Sequence, residues 1–157
     1  MPRITPNLWF DGHAEQAAEF YVAIFPDSRV TEVARYGPNE PGPEGTVMTV
    51  AFELDGNPFV GINGGPQFPH SEAVSFEISC PTQADVDYYW DALLADGGAP
   101  SQCGWLKDRF GLSWQVVPEG FSALLASGDG AARSRATQAM LKMVKLDIAE
   151  LERAAAG

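Results

Sequence analysis

The sequence has few of the residues that build metal, redox and nucleic-acid sites. It holds only two histidines and two cysteines in 157 residues, and 10 Lys and Arg stand against 21 Asp and Glu. Duplex DNA, RNA and anionic membranes select for clustered Lys and Arg. The formal net charge of −11 therefore argues against nucleic acid and membrane surfaces as partners.

Long apolar runs and paired cysteines are also lacking. No stretch approaches the roughly 18 apolar residues that a membrane span needs, and the segment Met1–Ile4 has no leader-like character. Cys80 and Cys103 are too far apart for a CxxC motif, and two thiols make no disulfide framework. The sequence therefore predicts a cytoplasmic protein, and its length predicts one domain over residues 1–157.

What is present is a strand–helix–strands order. An apolar, aromatic segment at 3–10 predicts a strand, and helical steps from Ala14 to Phe25 predict an amphipathic helix. Three prolines and three glycines make 37–45 a loop. Further strands are predicted at 29–36, 46–54 and 58–63.

The second half repeats this order. Alternation over 73–80 predicts a strand, a helix follows from Pro81 to about Ala95, and short strands are predicted near 100–103, 104–109 and 113–117. Placing Leu8 over Phe76 also places Tyr21 over Tyr89. A duplication explains this match, with repeat one at about 3–63 and repeat two at about 73–118.

The rest of the chain, about 119–157, has a helical pattern with Met140 and Met143 on its apolar stripe. A packing or dimer-contact tail is the favoured interpretation. A methionine-rich gate over a substrate is the alternative.

The period of two along strands assigns side chains to faces. It places Leu8, Phe10, Val74, Phe76 and Ile78 under the helices, and the opposite face is the candidate wall of a small-molecule pocket. Alternation assigns four candidate ligand-binding residues to that face: Asn7, Trp9, Ser75 and Glu77. Trp105 is a further candidate, and Gln115 joins them if it holds the ligand position that a family resemblance gives it.

Two residues are candidates for catalysis. Glu77 would be a general base if the pocket desolvated its carboxylate. Cys103 stands near Lys107 and Arg109, and a cationic neighbourhood favours a reactive thiolate. The alternatives are a solvated Glu77 and a Cys103 that only packs, with Lys107, Asp108 and Arg109 pairing at a turn or holding an anion.

Three strings resemble a known family: Ile4–Gly12, the helix with Phe20-Tyr21, and above all Gln102–Pro118. They are similar to the PhnB-like group of the vicinal oxygen chelate superfamily, the glyoxalase and bleomycin-resistance fold, often labelled 3-demethylubiquinone-9 3-methyltransferase. The segment Ala139–Ile148 is similar to the usual C-terminus of that group. The resemblance implies an α+β fold of two βαβββ repeats forming curved mixed sheets, with a helical tail, and a homodimer.

In metal-binding members of the superfamily, four strand positions supply His, Gln or Glu ligands. The resemblance places them here at Thr5 to Asn7, at Val60 or Gly61, at Ala73 and at Gln115. Most of these side chains cannot ligate a cation, and no glycine-rich loop for S-adenosylmethionine follows a strand. We therefore expect no metal and no cofactor.

The sequence thus predicts a glyoxalase-like protein that binds a small molecule. The alternative is an enzyme acting on a small metabolite without a metal.

Overall fold

The computed structural model describes residues 1–157 and divides the chain into two compact units, residues 1–70 and 71–157. The elements of the first unit are β1 (Asn7–Phe10), α1 (Ala14–Ile24), β2 (Arg29–Arg35), β3 (Val47–Leu54) and β4 (Asn57–Asn63). The elements of the second are β5 (Ser75–Cys80), α2 (Gln83–Leu94), β6 (Ala99–Pro100), β7 (Trp105–Lys107), β8 (Ser113–Pro118), α3 (Glu119–Ala126), α4 (Gly130–Met140) and α5 (Ile148–Ala156).

The two sheets have the same topology. The strand orders are β1-β4-β3-β2 and β5-β8-β7-β6, and in each the first strand lies parallel to the last. The remaining pairs are antiparallel. Two βαβββ repeats followed by a helical tail, which the sequence predicted, are therefore confirmed.

In the first unit α1 covers one face of the sheet. Leu8, Phe10, Val50 and Phe52 are buried beneath it, as alternation requires. The helix begins without a cap from its own N-terminal side chain. Asn63 of β4 caps the helix instead, since its Oδ1 accepts a hydrogen bond from the N–H of Ala14 at 2.9 Å. The Nδ2 of Asn63 donates to the carbonyl of Val47 at 3.1 Å, which orients the side chain.

In the second unit α2 has a complete capping box, formed by Thr82 and Asp85. Val86, Trp90 and Leu93 are buried on its inner face. The predicted burial of Val74 is wrong: its side chain is 61% exposed. The reason is that β5 begins at Ser75, so Val74 lies before the strand and outside the reach of its alternation.

The tail forms three short helices with their own core. Phe121, Ala136, Leu146 and Leu151 are buried together with Val117 of β8. Asp129 and Asp147 cap α4 and α5. The tail therefore packs on a strand of the second sheet.

Hydrogen bonds hold the segment between α4 and α5 in place. Gln83 of α2 donates from Nε2 to the carbonyl of Leu146 at 3.1 Å and accepts the N–H of Ile148 at 2.9 Å. The N–H groups of Cys103 and Gly104 donate to the carbonyls of Met143 and Val144. The segment between α4 and α5 is thus hydrogen-bonded both to α2 and to the residues just before β7.

No helix is long and apolar enough to cross a membrane. The cytoplasmic location and the homodimer stay predictions.

Candidate functional site

The second sheet aligns three candidate side chains in one row. Glu77 of β5 pairs with Gln115 of β8, and Gln115 pairs with Trp105 of β7. Side chains at paired positions lie on the same face of a sheet, about 5 Å apart from strand to strand. This face is opposite the one that buries Trp114 and Val116.

Gln115 is oriented by a side chain of the neighbouring strand. Its Nε2 donates to the Oγ of Ser75 at 2.9 Å. One N–H of the amide is therefore engaged, and its second N–H and its carbonyl oxygen Oε1 are left for a ligand.

A cavity of about 330 Å³ lies over this row. That volume is at the lower end of small-molecule sites. Strands of the second sheet supply Glu77, Cys103 (just before β7), Trp105, Gln115 and Val117, and the tail supplies Phe121, Ser122, Leu125, Thr137, Met140 and Leu146. Six of the eleven lining residues therefore come from the tail.

The structure places the predicted residues in two groups. Glu77, Trp105 and Gln115 line the cavity, with Ser75 bonded to Gln115. Asn7 and Trp9 belong to the first unit, where Trp9 donates from Nε1 to the carbonyl of Gly65 at 2.8 Å and meets the ring of Phe68 edge-on.

The tail residues of the cavity were not predicted individually. Met140 lines the cavity, and the methionine-rich gate over a substrate stays a prediction. Of the favoured interpretation, a packing or dimer-contact tail, the packing is observed for Ala136 and Leu151, and the dimer contact stays a prediction. The only signal in the sequence was therefore the stripe itself.

The two catalytic candidates differ in setting. Glu77 lines the cavity but is exposed to solvent, so its carboxylate lacks the desolvation expected of a general base. Cys103 is half-buried and also lines the cavity. The expected cationic neighbourhood is weakened, because Lys107 is paired with Glu72 at 2.6 Å and holds the pKa of Glu72 below its ordinary value through that hydrogen bond.

In the segment from Lys107 to Arg109, Lys107 pairs with Glu72 and Asp108 binds the backbone of the turn. Asp108 is buried, and its carboxylate accepts from the N–H groups of Phe110 and Leu112 and from Nε1 of Trp114. The guanidinium of Arg109 lies over the ring of Phe110 at 4.7 Å. Asp108 therefore shapes the turn before β8.

The two thiols should differ sharply in reactivity. Cys80 is fully buried, and burial, followed by the negative charges of Asp85 and Glu119, raises the pKa of its thiol to about 11. Because the thiolate is the nucleophile, we expect an aromatic disulfide reagent at pH 8 to titrate one thiol in the folded protein and two after denaturation. Cys103→Ser should abolish the native reaction and Cys80→Ser should leave it, whereas equal reaction of both thiols in the folded wild type would contradict this assignment.

The positions that the superfamily uses for a metal carry a poor set of donors. In the first unit Asn7 pairs with Val60, which has no donor atom, and Nδ2 of Asn7 donates to the carbonyl of Thr5. In the second, the neighbour of Gln115 is Glu77, and Ala73, the position implied by the resemblance, lies before β5. One carboxylate and one amide do not complete a site, and no group of three His, Cys, Asp or Glu side chains could hold a metal ion.

Comparisons with known proteins agree with this fold. The family model described as 3-demethylubiquinone-9 3-methyltransferase matches residues 2–117. A putative 3-demethylubiquinone-9 3-methyltransferase, PhnB protein, from Bacillus cereus is 34% identical, with a TM-score of 0.67 over 74% of this chain and 99% of its own. No curated protein matches the chain.

More distant structures share the fold alone. Protein PA1353 from Pseudomonas aeruginosa is 20% identical, with a TM-score of 0.61 over 76% of this chain and 98% of its own. The fosfomycin resistance protein FosX from Mesorhizobium loti is 12% identical, with a TM-score of 0.54 over 80% and 98%.

The family match has a clear boundary. It ends at Val117, so α3, α4 and α5 lie beyond it, including the segment Ala139–Ile148 that we expected to be similar to the family's usual C-terminus. Within that boundary, the matched residues and the PhnB protein from Bacillus cereus show that the chain belongs to the 3-demethylubiquinone-9 3-methyltransferase (PhnB-like) family.

Proposed function

We propose that the protein binds a small molecule in the cavity on the second sheet, without the metal that its superfamily uses. The observation that carries this proposal is the row of Glu77, Gln115 and Trp105, which lines a half-open cavity whose other lining residues are mostly apolar. A few polar groups in an apolar, aromatic pocket are the usual composition of a small-molecule site.

The donor chemistry supports the metal-free part of the proposal. Glu77 and Gln115 offer two oxygen donors, and Gln115 already shares its amide with Ser75. His13 and His70 lie in the first unit, where His13 contacts Gln16 and His70 meets the ring of Phe10.

A thermal-shift screen of metabolites, with and without Ni²⁺, Mn²⁺ or Zn²⁺, tests this function. We expect at least one metabolite to raise the melting temperature in the absence of metal, because a ligand that binds only the folded state stabilises it. Gln115→Ala should lose that shift. The matched control is Gln102→Ala, which changes an exposed residue of the same type.

Two results would count against the proposal. Stabilisation by one equivalent of a divalent metal, lost in Gln115→Ala, would show a metal site. A ligand whose effect is equal in Gln115→Ala and in the wild type would place binding elsewhere.

A metal-independent enzyme is the second candidate, favoured by one observation: Cys103 and Glu77 line the same cavity. Mass spectrometry of a bound metabolite after incubation separates the two functions. Recovery of the unchanged molecule supports binding, whereas a product that Cys103→Ser fails to form would indicate catalysis by the thiol.

A further inference from the structure

The cavity on the second sheet is unbalanced in charge. Among its eleven lining residues there is one carboxylate, Glu77, and there is no Lys, Arg or His. The whole chain carries a formal net charge of −11. An anionic group placed beside Glu77 would meet a like charge, which opposes binding.

Glu77 sets the main hydrogen-bonding requirement of the row. A carboxylate accepts hydrogen bonds and donates none. Gln115 donates one N–H to Ser75, which leaves its second N–H and its carbonyl oxygen for a ligand. A ligand group that bonds to Glu77 must therefore supply N–H or O–H donors, which the carbonyl oxygen of Gln115 can also accept. A positive charge on the donor makes these hydrogen bonds shorter and stronger.

The third member of the row adds an aromatic surface. Trp105 stands next to Gln115 on the side away from Glu77. Indole is the best aromatic partner for a cation and also packs on an apolar body. Phe121 and Met140 extend this apolar wall from the tail.

From these features we infer that the ligand is a protonated amine with an apolar or aromatic body. Its ammonium group is held by Glu77 and Gln115, and its body lies against Trp105 and the tail residues. This inference rests on the proposed small-molecule function and specifies the chemical class of the ligand.

Three probes of one size and different charge test the inference. They are 2-phenylethylamine, 2-phenylethanol and phenylacetate, each titrated at pH 7 while the indole N–H signal of Trp105 is followed by NMR. We expect the amine to bind at least about tenfold more tightly than the alcohol, and phenylacetate to bind most weakly.

Two variants separate local from global charge. Glu77→Gln should weaken the amine about tenfold and leave the alcohol unchanged, since it removes one charge at nearly constant shape. Glu44→Gln removes one charge from an exposed loop residue of the first unit and should change neither affinity.

The results of these titrations test the ligand class and the proposed binding function separately. Equal or tighter binding of the alcohol or of phenylacetate at Trp105, or an unchanged amine affinity in Glu77→Gln, would overturn the amine assignment and leave the cavity as a binding site. Absence of binding by all three probes would overturn the amine assignment and count against the cavity itself.

Discussion

Replacing Asp108 by Ala should destabilise the protein by about 4 kcal/mol, since three donors would lose a charged acceptor in a buried place. These donors are the N–H groups of Phe110 and Leu112, at 2.8 and 3.1 Å, and Nε1 of Trp114 at 2.9 Å. Asp108 itself is 3% exposed, so water cannot readily replace the carboxylate. Urea denaturation followed by circular dichroism measures the change in the free energy of unfolding.

Two graded variants and one surface control make this result specific. Asp108→Asn retains an oxygen for the backbone donors but turns an amide group toward the indole, so we expect a loss of about 2 kcal/mol. Trp114→Phe removes the third bond together with part of a buried ring that contacts Phe76, so we expect a loss of at least about 2 kcal/mol. Asp91→Ala, on the exposed face of α2, should stay within about 0.5 kcal/mol of the wild type. A loss below about 1 kcal/mol in Asp108→Ala would contradict the role of this carboxylate.

Replacing Leu146 by Ala should cost about 3 kcal/mol, the middle of the range for a large apolar side chain removed from a core. Leu146 is 1% exposed and belongs to the core that joins the tail to Val117. It also lines the cavity. The variant should therefore lose stability and weaken binding of any molecule in the cavity, read by denaturation and by the same probe titrations.

The matched control for Leu146 lies five residues earlier. Leu141→Ala removes the same atoms from a side chain that is 53% exposed, so its cost should stay below about 0.5 kcal/mol. Leu146→Met conserves volume and should cost less than about 1.5 kcal/mol. Equal losses from the two alanine variants would mean that the tail does not pack on the sheet in this way.

Local periodicity was sufficient for the first strand of the candidate site, whereas Gln115 was placed on the same face only through the family resemblance. Ser75 and Glu77 were assigned to one face from alternation alone, and the structure pairs Glu77 with Gln115 on that face. Alternation depends only on the geometry of an extended chain, so it holds wherever a strand forms. It failed for Val74 because the start of a strand is set by its pairing partner, which lies far along the chain.

The turn before β8 and the tail could not be predicted in the same way. The buried position of Asp108 depends on bonds to backbone groups and to Trp114, which no periodicity reveals. The tail is held by Gln83, whose partners at 146 and 148 are more than sixty residues away in the chain. Its helical pattern was visible, but the surface on which it packs was not.

The tail also gives this chain a feature beyond its family match. Residues 2–117 carry the match, and residues after Val117 supply six of the eleven residues around the cavity. Walls contributed by the tail would set the size and apolar character of the ligand, while Glu77 and Gln115 of the matched region set its polar end.

The ligand site between the second sheet and the tail is tested most directly by the NMR spectrum of protein that carries ¹³C-labelled methionine methyl groups. The chain has four methionines: Met140 lines the cavity, and Met48 lies in β3 of the first unit. On addition of 2-phenylethylamine, a ligand site between the second sheet and the tail predicts a saturable shift of the Met140 methyl signal and no shift of the Met48 signal. A shift of Met48 with Met140 unchanged would contradict a ligand site between the second sheet and the tail, as would the absence of any shift of Met140 with 2-phenylethylamine, 2-phenylethanol and phenylacetate alike.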